Sequence, residues 1–536
     1  MEFDPQSYRY PSRRTVSFAK NGMTATSGPL PAQAGLEVLR RGGNAVDAAV
    51  AMAAVLAVTE PTSNGLGSDA FALVWTQGRL YGLNASGRAP LNLTAELLRS
   101  RGCDKMPVRG WETVMTPGAP AAWAALSSRF GRLSLAELVE PAARYAEEGY
   151  PVAPNVAKLW RKSYETFSRG LTGDEFRGWF ETFAPRGAAP AAGECWRCPE
   201  MAASLREIGR TGAESFYRGG LADEIDSFSR RSGGYIRRED LTSYRPEWVE
   251  PLSVNYRGYD VCELPPNGHG ITVLMALNIL RAFELGGCRE RYSVYHLMIE
   301  ALKLAFTDAR KYVADPDTMK TSVDALLSDA YADRRRSLIT EQALDPQPGD
   351  PFCGGTVYLC TADGEGNMVS YIQSNYLGFG SGIVVPGTGI SLQNRGANFS
   401  LDPSSDNVLA PGKKSYHTII PGFLMKEGRP VGPFGVMGGF MQPQGHLQTL
   451  VNAIDFHMNP QEALDAPRFQ WTGGRRIQLE KAVPPAVVRA LETRGHEIEV
   501  VEDSVDMGRG EIIWQQENGV LAGAAEPRCD GTVACW

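Results

Sequence analysis

Two glycines and a threonine, Gly354-Gly355-Thr356, stand where a proline-rich stretch gives way to the β-prone run Val357-Tyr358-Leu359-Cys360. A threonine hydroxyl is a weak nucleophile without a base beside it, and its own α-amine becomes that base once the preceding peptide bond is cut. A free α-amino group titrates at about 7.7–8.0, so it takes up and returns a proton near neutrality. Gly355 suits the departing side of the bond, because without a Cβ it tolerates the distorted backbone that an inward attack requires. The chemistry on offer is cleavage of Gly355–Thr356 by the chain itself, followed by attack on an external amide. The competing reading is a threonine that merely opens a strand.

Other groups bear on that choice. In Met437-Gly438-Gly439-Phe440, paired glycines precede a predicted helix from about Gln444 to Phe456, an arrangement that turns two backbone N–H groups toward a developing negative charge or else makes an ordinary tight turn. His417 and His446 titrate near neutrality when unperturbed. With an α-amine available, a structural or substrate-orienting role is the better expectation for both. Arg88, in the turn Asn84–Pro90, and the pair Lys413-Lys414 read by default as solvated charges. Cys195-Trp196-Arg197-Cys198 has no second pair at ligand spacing and lies in a Pro/Ala/Gly-rich loop, so no metal site is expected.

The surrounding elements must hold these residues. Asp345 to Pro351 carries three prolines in seven residues, which excludes helix and central strand and leaves an exposed extended segment. Val357–Ala362, the turn Asp363-Gly364-Glu365-Gly366-Asn367 and Met368–Ile372 make a β-hairpin with Thr356 at its start. Upstream, Asn44 caps a near-continuously apolar helix, Ala45–Val58, that Pro61 ends. A glycine loop, Thr62–Asp69, leads to strands at Ala70–Trp75 and Leu80–Leu83; no Lys-Ser/Thr pair follows it, so nucleotide binding is a weak reading. Residues 111 to 340 are mainly helical, as at Leu133–Glu148 and Ser293–Val313, with a short strand pair at Val254–Tyr256 and Tyr259–Leu264. After Thr356 the chain is β-rich and glycine-dense, with strands at Ile383–Val385 and Ile419–Met425.

Composition narrows the class. The chain has 536 residues, 43% hydrophobic and 21% charged, the profile of a globular protein with a full core. A net charge of −7 without a basic stripe gives no reason to expect nucleic-acid binding. The longest apolar run, Ala48 to Val58, falls short of the roughly 18 residues that span a bilayer. An acidic start, Met1-Glu2-Phe3-Asp4, does not read as a signal peptide, and nine scattered cysteines imply no disulfide framework, so a cytoplasmic protein is expected.

Taken together, the GGNAVDAAVA helix, the glycine loop before FALVW, the TVYLC–DGEGN hairpin, the FGSGIVVPGTGI run, the MGGF turn and the NPQEALDAPRF segment resemble the γ-glutamyltransferase family of self-processing N-terminal nucleophile hydrolases. The resemblance implies an α+β fold, a four-layer αββα sandwich of two stacked, mainly antiparallel sheets. It implies one folded unit made of a helix-rich chain, 1–355, and a β-rich catalytic chain, 356–536, that stay together as a heterodimer or a dimer of these. Thr356 matches the nucleophile, Ser374 the hydroxyl that hydrogen-bonds it, and Gly438 and Gly439 the oxyanion hole. No metal or organic cofactor is implied.

The departures from the family bear on substrate. Ser86 stands where the family has the arginine that holds a glutamyl carboxylate, with Arg88 two residues on; Tyr376 replaces an Asn, Arg395 and Asn398 replace Gln and Asp, and Lys413-Lys414 replace a serine pair. The ammonium of a glutamyl group loses its acidic partner and the site gains cations. SGRAP, FGSG…LQNRG and the His417-Thr418 pair look like the branch holding oxamate amidohydrolase and cephalosporin-acylase-like proteins. That implies hydrolysis of an amide with a small anionic acyl group, with Arg88 and Arg395 as a carboxylate clamp and Tyr376, Asn398, Lys414 and His417 as further contacts. A genuine γ-glutamyltransferase or glutathione hydrolase, and a binding protein that keeps the fold without catalysis, are the alternatives.

Overall fold

The computed structural model describes residues 14–346 and 355–536, with Gly355 described in its backbone alone. The acidic N-terminus and most of the proline-rich stretch before Thr356 lie outside these residues.

Two seven-stranded sheets carry the fold, and every strand pairing within them is antiparallel. The hairpin Gly355–Asp363 and Met368–Tyr376 sits at the centre of one, flanked by Gly22–Thr26 and Asp69–Thr76. The other centres on Gly422–Lys426, Arg429–Met437 and Arg509–Gln515. Each sheet takes strands from both sides of Gly355–Thr356.

Alternation along Gly355–Asp363 explains the layering. Tyr358, Cys360 and Ala362 face a core between the sheets, with Phe71, Met437 and Ile513, while Val357 and Leu359 face helices on the outer side. A strand covered on both faces must be apolar on both, which is why this run is continuous rather than amphipathic. The helix Ala45–Thr59 covers that outer face and is buried along its whole length. Asn44 caps it by accepting from Val46 and Asp47 N–H groups, and Asp47 completes a capping box. On the far side of the second sheet, Gly270–Leu280, Tyr292–Tyr312 and Met441–Ile454 form the fourth layer. Helix, sheet, sheet, helix is the four-layer sandwich expected from the sequence.

Two boundaries differ from the sequence expectation for reasons that matter to the site. The helix expected from Gln444 begins at Met441, because Pro443 falls in the first turn, where a missing N–H costs nothing. The strand expected from Ile419 begins at Gly422: Ile419 N–H donates to His417 Nδ1, Ile420 N–H donates to Gln442 Oε1, and Pro421 has no N–H. Side chains have taken the donors that a ladder would use.

Candidate active site

Thr356 opens the central strand and is buried, 1% exposed, between the sheets' ends. Its Oγ1 lies 3.1 Å from Ser374 Oγ on the neighbouring strand, and Ser374 Oγ accepts the Tyr376 N–H at 2.8 Å. Gln442, fully buried in the first turn of Met441–Ile454, donates through Nε2 to Thr356 Oγ1 at 3.5 Å. That contact brings the glycine turn to the nucleophile candidate, since Gly438 and Gly439 end only three residues earlier. Their φ values of +133° and +58° lie where glycine is favoured, and neither N–H donates to a backbone carbonyl among the described residues. Two N–H groups unpaired among the described residues, three and four positions before the glutamine that meets the Thr356 hydroxyl, fit the stabilisation of an oxyanion.

Tyr376 pairs with Gly355 across the hairpin and adopts φ +75°, an uncommon conformation for a bulky residue. Its ring covers Arg395, whose guanidinium carbon is 4.5 Å from the ring centre. Arg395 is fully buried; Nε faces Asp69 Oδ2 at 3.4 Å, Nη1 donates to Thr418 Oγ1 at 2.6 Å, and Nη2 has no partner among the described residues. Burial pulls this guanidinium below its ordinary range, and the Asp69 carboxylate opposes the shift.

Asp69 organises this corner. Its Oδ1 accepts the Gly87 N–H at 3.0 Å and its Oδ2 faces His417 Nε2 at 2.9 Å. With His417 Nδ1 accepting from Ile419 N–H at 3.3 Å, the ring proton belongs on Nε2 and goes to Asp69. Burial first, and then the Arg395 charge, push His417 down to about 4, so it is a neutral imidazole with both nitrogens committed. It holds Asp69 and has no lone pair left for proton transfer. His446 is bonded to Glu263, Nδ1 to Oε1, at 2.8 Å, and burial pushes it down to about 3.

Asn398 and Tyr376 line a cavity of about 750 Å³ with Tyr416, Phe440 and Arg310. Tyr416 stacks on Phe440, 6.2 Å between ring centres, and Arg310 lies 4.8 Å from the Phe440 ring. Asn398 Nδ2 is bonded to Tyr416 O at 3.1 Å. This is an aromatic-walled pocket next to the glycine turn.

Arg88 and Lys414 are placed differently. Arg88 lines a separate cavity and is paired with Glu247 at 2.9 Å and with Asp315 at 3.6 Å. Lys414 reaches the same Glu247 at 2.5 Å. The lysine pair read as a solvated face is buried instead: Lys413 donates to Asp406 O at 2.5 Å, and Lys414 is 4% exposed. Their apolar stems are covered and their heads bonded to oxygen, which local sequence could not reveal.

Sequence reasoning missed Asp69 and Gln442. Asp69 had a signal, an acid heading the otherwise apolar strand Asp69-Ala70-Phe71-Ala72-Leu73-Val74. Gln442 had none beyond its place near the glycine turn.

The chain is similar to known proteins over nearly its whole length. A family model described as gamma-glutamyltranspeptidase matches residues 31–536. The glutathione hydrolase-like YwrD proenzyme of Bacillus subtilis is 38% identical over 515 residues, covering 94% of this chain and 96% of that protein. The oxamate amidohydrolase proenzyme of Klebsiella pneumoniae subsp. pneumoniae is 34% identical over 529 residues, covering 96% and 98%. The crystal structure of a cephalosporin acylase from Bacillus halodurans aligns with a TM-score of 0.97 at 59% identity, over 100% of this chain and 99% of that one.

Proposed function

Because this chain belongs to the gamma-glutamyltranspeptidase family of N-terminal nucleophile hydrolases, we propose that Thr356 cleaves the chain at Gly355–Thr356 and then hydrolyses the amide of a small anionic acyl group. The observation that carries this reading is the Thr356–Ser374 hydroxyl pair, 3.1 Å apart at the head of the central hairpin. The proenzyme names of the relatives support the self-processing step.

In processing, Thr356 Oγ attacks the Gly355 carbonyl, the Gly355–Thr356 C–N bond breaks, and the hydroxyl proton ends on the threonine nitrogen. Water then opens the ester, leaving Gly355 as a carboxylate and Thr356 with a free α-amine. In turnover the α-amine takes the Oγ proton, Oγ bonds to the substrate carbonyl, the substrate's C–N bond breaks, and the leaving amine takes that proton from the α-ammonium. Gly438 and Gly439 N–H groups hold the oxyanion. Water resolves the acyl-enzyme, its proton returns through the α-amine to Oγ, and the acid departs.

Arg395 supports the reading of an anionic acyl group. A fully buried guanidinium whose Nη2 has no partner among the described residues is suited to a carboxylate, and Asp69 meets only its Nε. Arg88, already paired with Glu247 and Asp315, is assigned no contact with the acyl group. Tyr376 and Asn398, on the aromatic-walled cavity, contact the substrate from the other side.

The test is intact mass on wild type and Thr356→Ala, followed by a panel of oxamate, glutaryl and γ-glutamyl amides. Fragments 1–355 and 356–536 in the wild type alone, with release from the oxamate or glutaryl members, support the reading. One intact 58.3 kDa chain in both samples overturns the processing step, and turnover confined to γ-glutamyl amides overturns the substrate assignment.

A further inference from the structure

We propose that Gln442 is a further catalytic residue, whose side-chain N–H donates to Thr356 Oγ and stabilises the charge on that oxygen while its proton is elsewhere. This rests on the reading of Thr356 as the nucleophile.

The direction of the Gln442 amide is set by chemistry rather than by choice. Its Oε1 accepts the Ile420 N–H at 2.9 Å. Reversing the amide would set a donor against that N–H and leave both unpaired in a site with no exposure. Nε2 therefore faces Thr356 Oγ1, at 3.5 Å in the uncut chain. Such contacts are long before a reaction and shorten as charge builds on the acceptor.

The position is also telling. Gln442 is the second residue of Met441–Ile454, three positions after Gly439. One short stretch thus supplies two backbone donors for the carbonyl oxygen and one side-chain donor for the attacking oxygen. Through Ile420 it also grips the segment that carries His417 and Thr418, the partners of Asp69 and Arg395. Gln442 transfers no proton. When the Thr356 ester breaks, the C–Oγ electron pair returns to Oγ, and an N–H already aimed there lowers the cost of that charge until the proton arrives. A hydrogen bond to a charged oxygen in a buried site corresponds to about 10- to 100-fold in rate.

Gln442→Glu tests this with little change of shape. It keeps an acceptor for Ile420 N–H and makes the donor conditional, since a carboxylic acid donates through its O–H and a carboxylate donates nothing. The readout is the half-time for appearance of the 356–536 fragment, followed by intact mass after cell-free synthesis, from pH 5 to 9. Processing in the variant should be about 10- to 100-fold slower than wild type at alkaline pH and recover toward acid. A purely structural Gln442 predicts parallel pH profiles; a variant within twofold of wild type at pH 8, or faster, overturns the proposal. Gln442→Met lacks the donor at every pH and is read by the size of the loss rather than by the pH profile if the glutamate variant does not fold: a half-time about 10- to 100-fold longer, in a chain whose melting temperature matches wild type, is expected, and a wild-type half-time overturns the proposal. Thr356→Ala runs beside them. If it still processes, the nucleophile reading has failed; if it does not process and the Gln442 variants behave as wild type, only this inference has failed.

Discussion

Thr356 Oγ1 and Ser374 Oγ stand 3.1 Å apart on adjacent strands, and Ser374 is held in place by the Tyr376 N–H on its oxygen. The pair is rigid because the hairpin that carries it is central in its sheet and covered on both faces. Ser374→Ala should leave the fold unchanged and slow processing by about 10-fold or more, the usual scale for one hydrogen bond at a reacting oxygen. Thr356→Ala should abolish processing. Time-resolved intact mass checks both, and a Ser374→Ala half-time equal to wild type would remove serine from the reacting group.

Arg395 and Asp69 form a buried ion pair, 1% and 0% exposed, so removing one partner strands the other. Asp69→Asn keeps the volume and removes the charge. Urea unfolding should show a loss of about 3–5 kcal/mol, the cost of an unpaired buried charge. Arg395→Gln should raise KM for anionic amides by at least about 10-fold, the weight of one charge-assisted contact, while Arg88→Ala changes it less than twofold. Steady-state kinetics on a glutaryl anilide measure the contrast, and equal effects from the two arginines would return Arg88 to the carboxylate site.

Acid should destabilise the folded protein through its buried histidines. His417 titrates at about 4 and His446 at about 3 in the folded state, both lowered chiefly by burial, against about 6.5 in an unfolded chain. Below pH ~6.5 the unfolded chain takes up protons that the folded one refuses, so the stability these neutral rings contribute is present above that pH and is lost as pH falls toward 4. Melting temperature measured from pH 7.5 to 4 should fall, and more shallowly in His417→Gln. An identical slope would show that His417 does not titrate on unfolding.

Cleavage should not separate the two pieces. The sheet of Thr356 runs Thr532–Cys535, Gly22–Thr26, Gly355–Asp363, Met368–Tyr376, Asp69–Thr76, Arg79–Ala85, Glu247–Val249, so strands from before and after Gly355–Thr356 are interleaved. Size-exclusion chromatography of processed protein should give one peak holding both fragments, and they should part only in denaturant. Two peaks in native buffer would contradict an interleaved unit.

Much of this was legible in the sequence because it is local. The helix Ala45–Thr59 announced itself through Asn44, Asp47 and an unbroken apolar run, and the Thr356 hairpin through β-branched residues around Asp363–Asn367. Gly438 and Gly439 stood out because two adjacent glycines before a helix permit backbone conformations that other residues avoid. The partners of charged groups were not legible, because they depend on which distant residues packing brings together. Asp69 meets His417 across 348 positions and Arg395 across 326, Lys414 meets Glu247 across 167, and Gln442 meets Thr356 across 86. Sequence determined the strand that presents the hydroxyl, since strand and turn preferences act over a few residues. Only the tertiary structure decided that Arg395 is buried with one nitrogen unpartnered among the described residues, that Arg88 and Lys414 are spent on Glu247, and that a glutamine faces Thr356, since each is settled by which buried donor finds which acceptor.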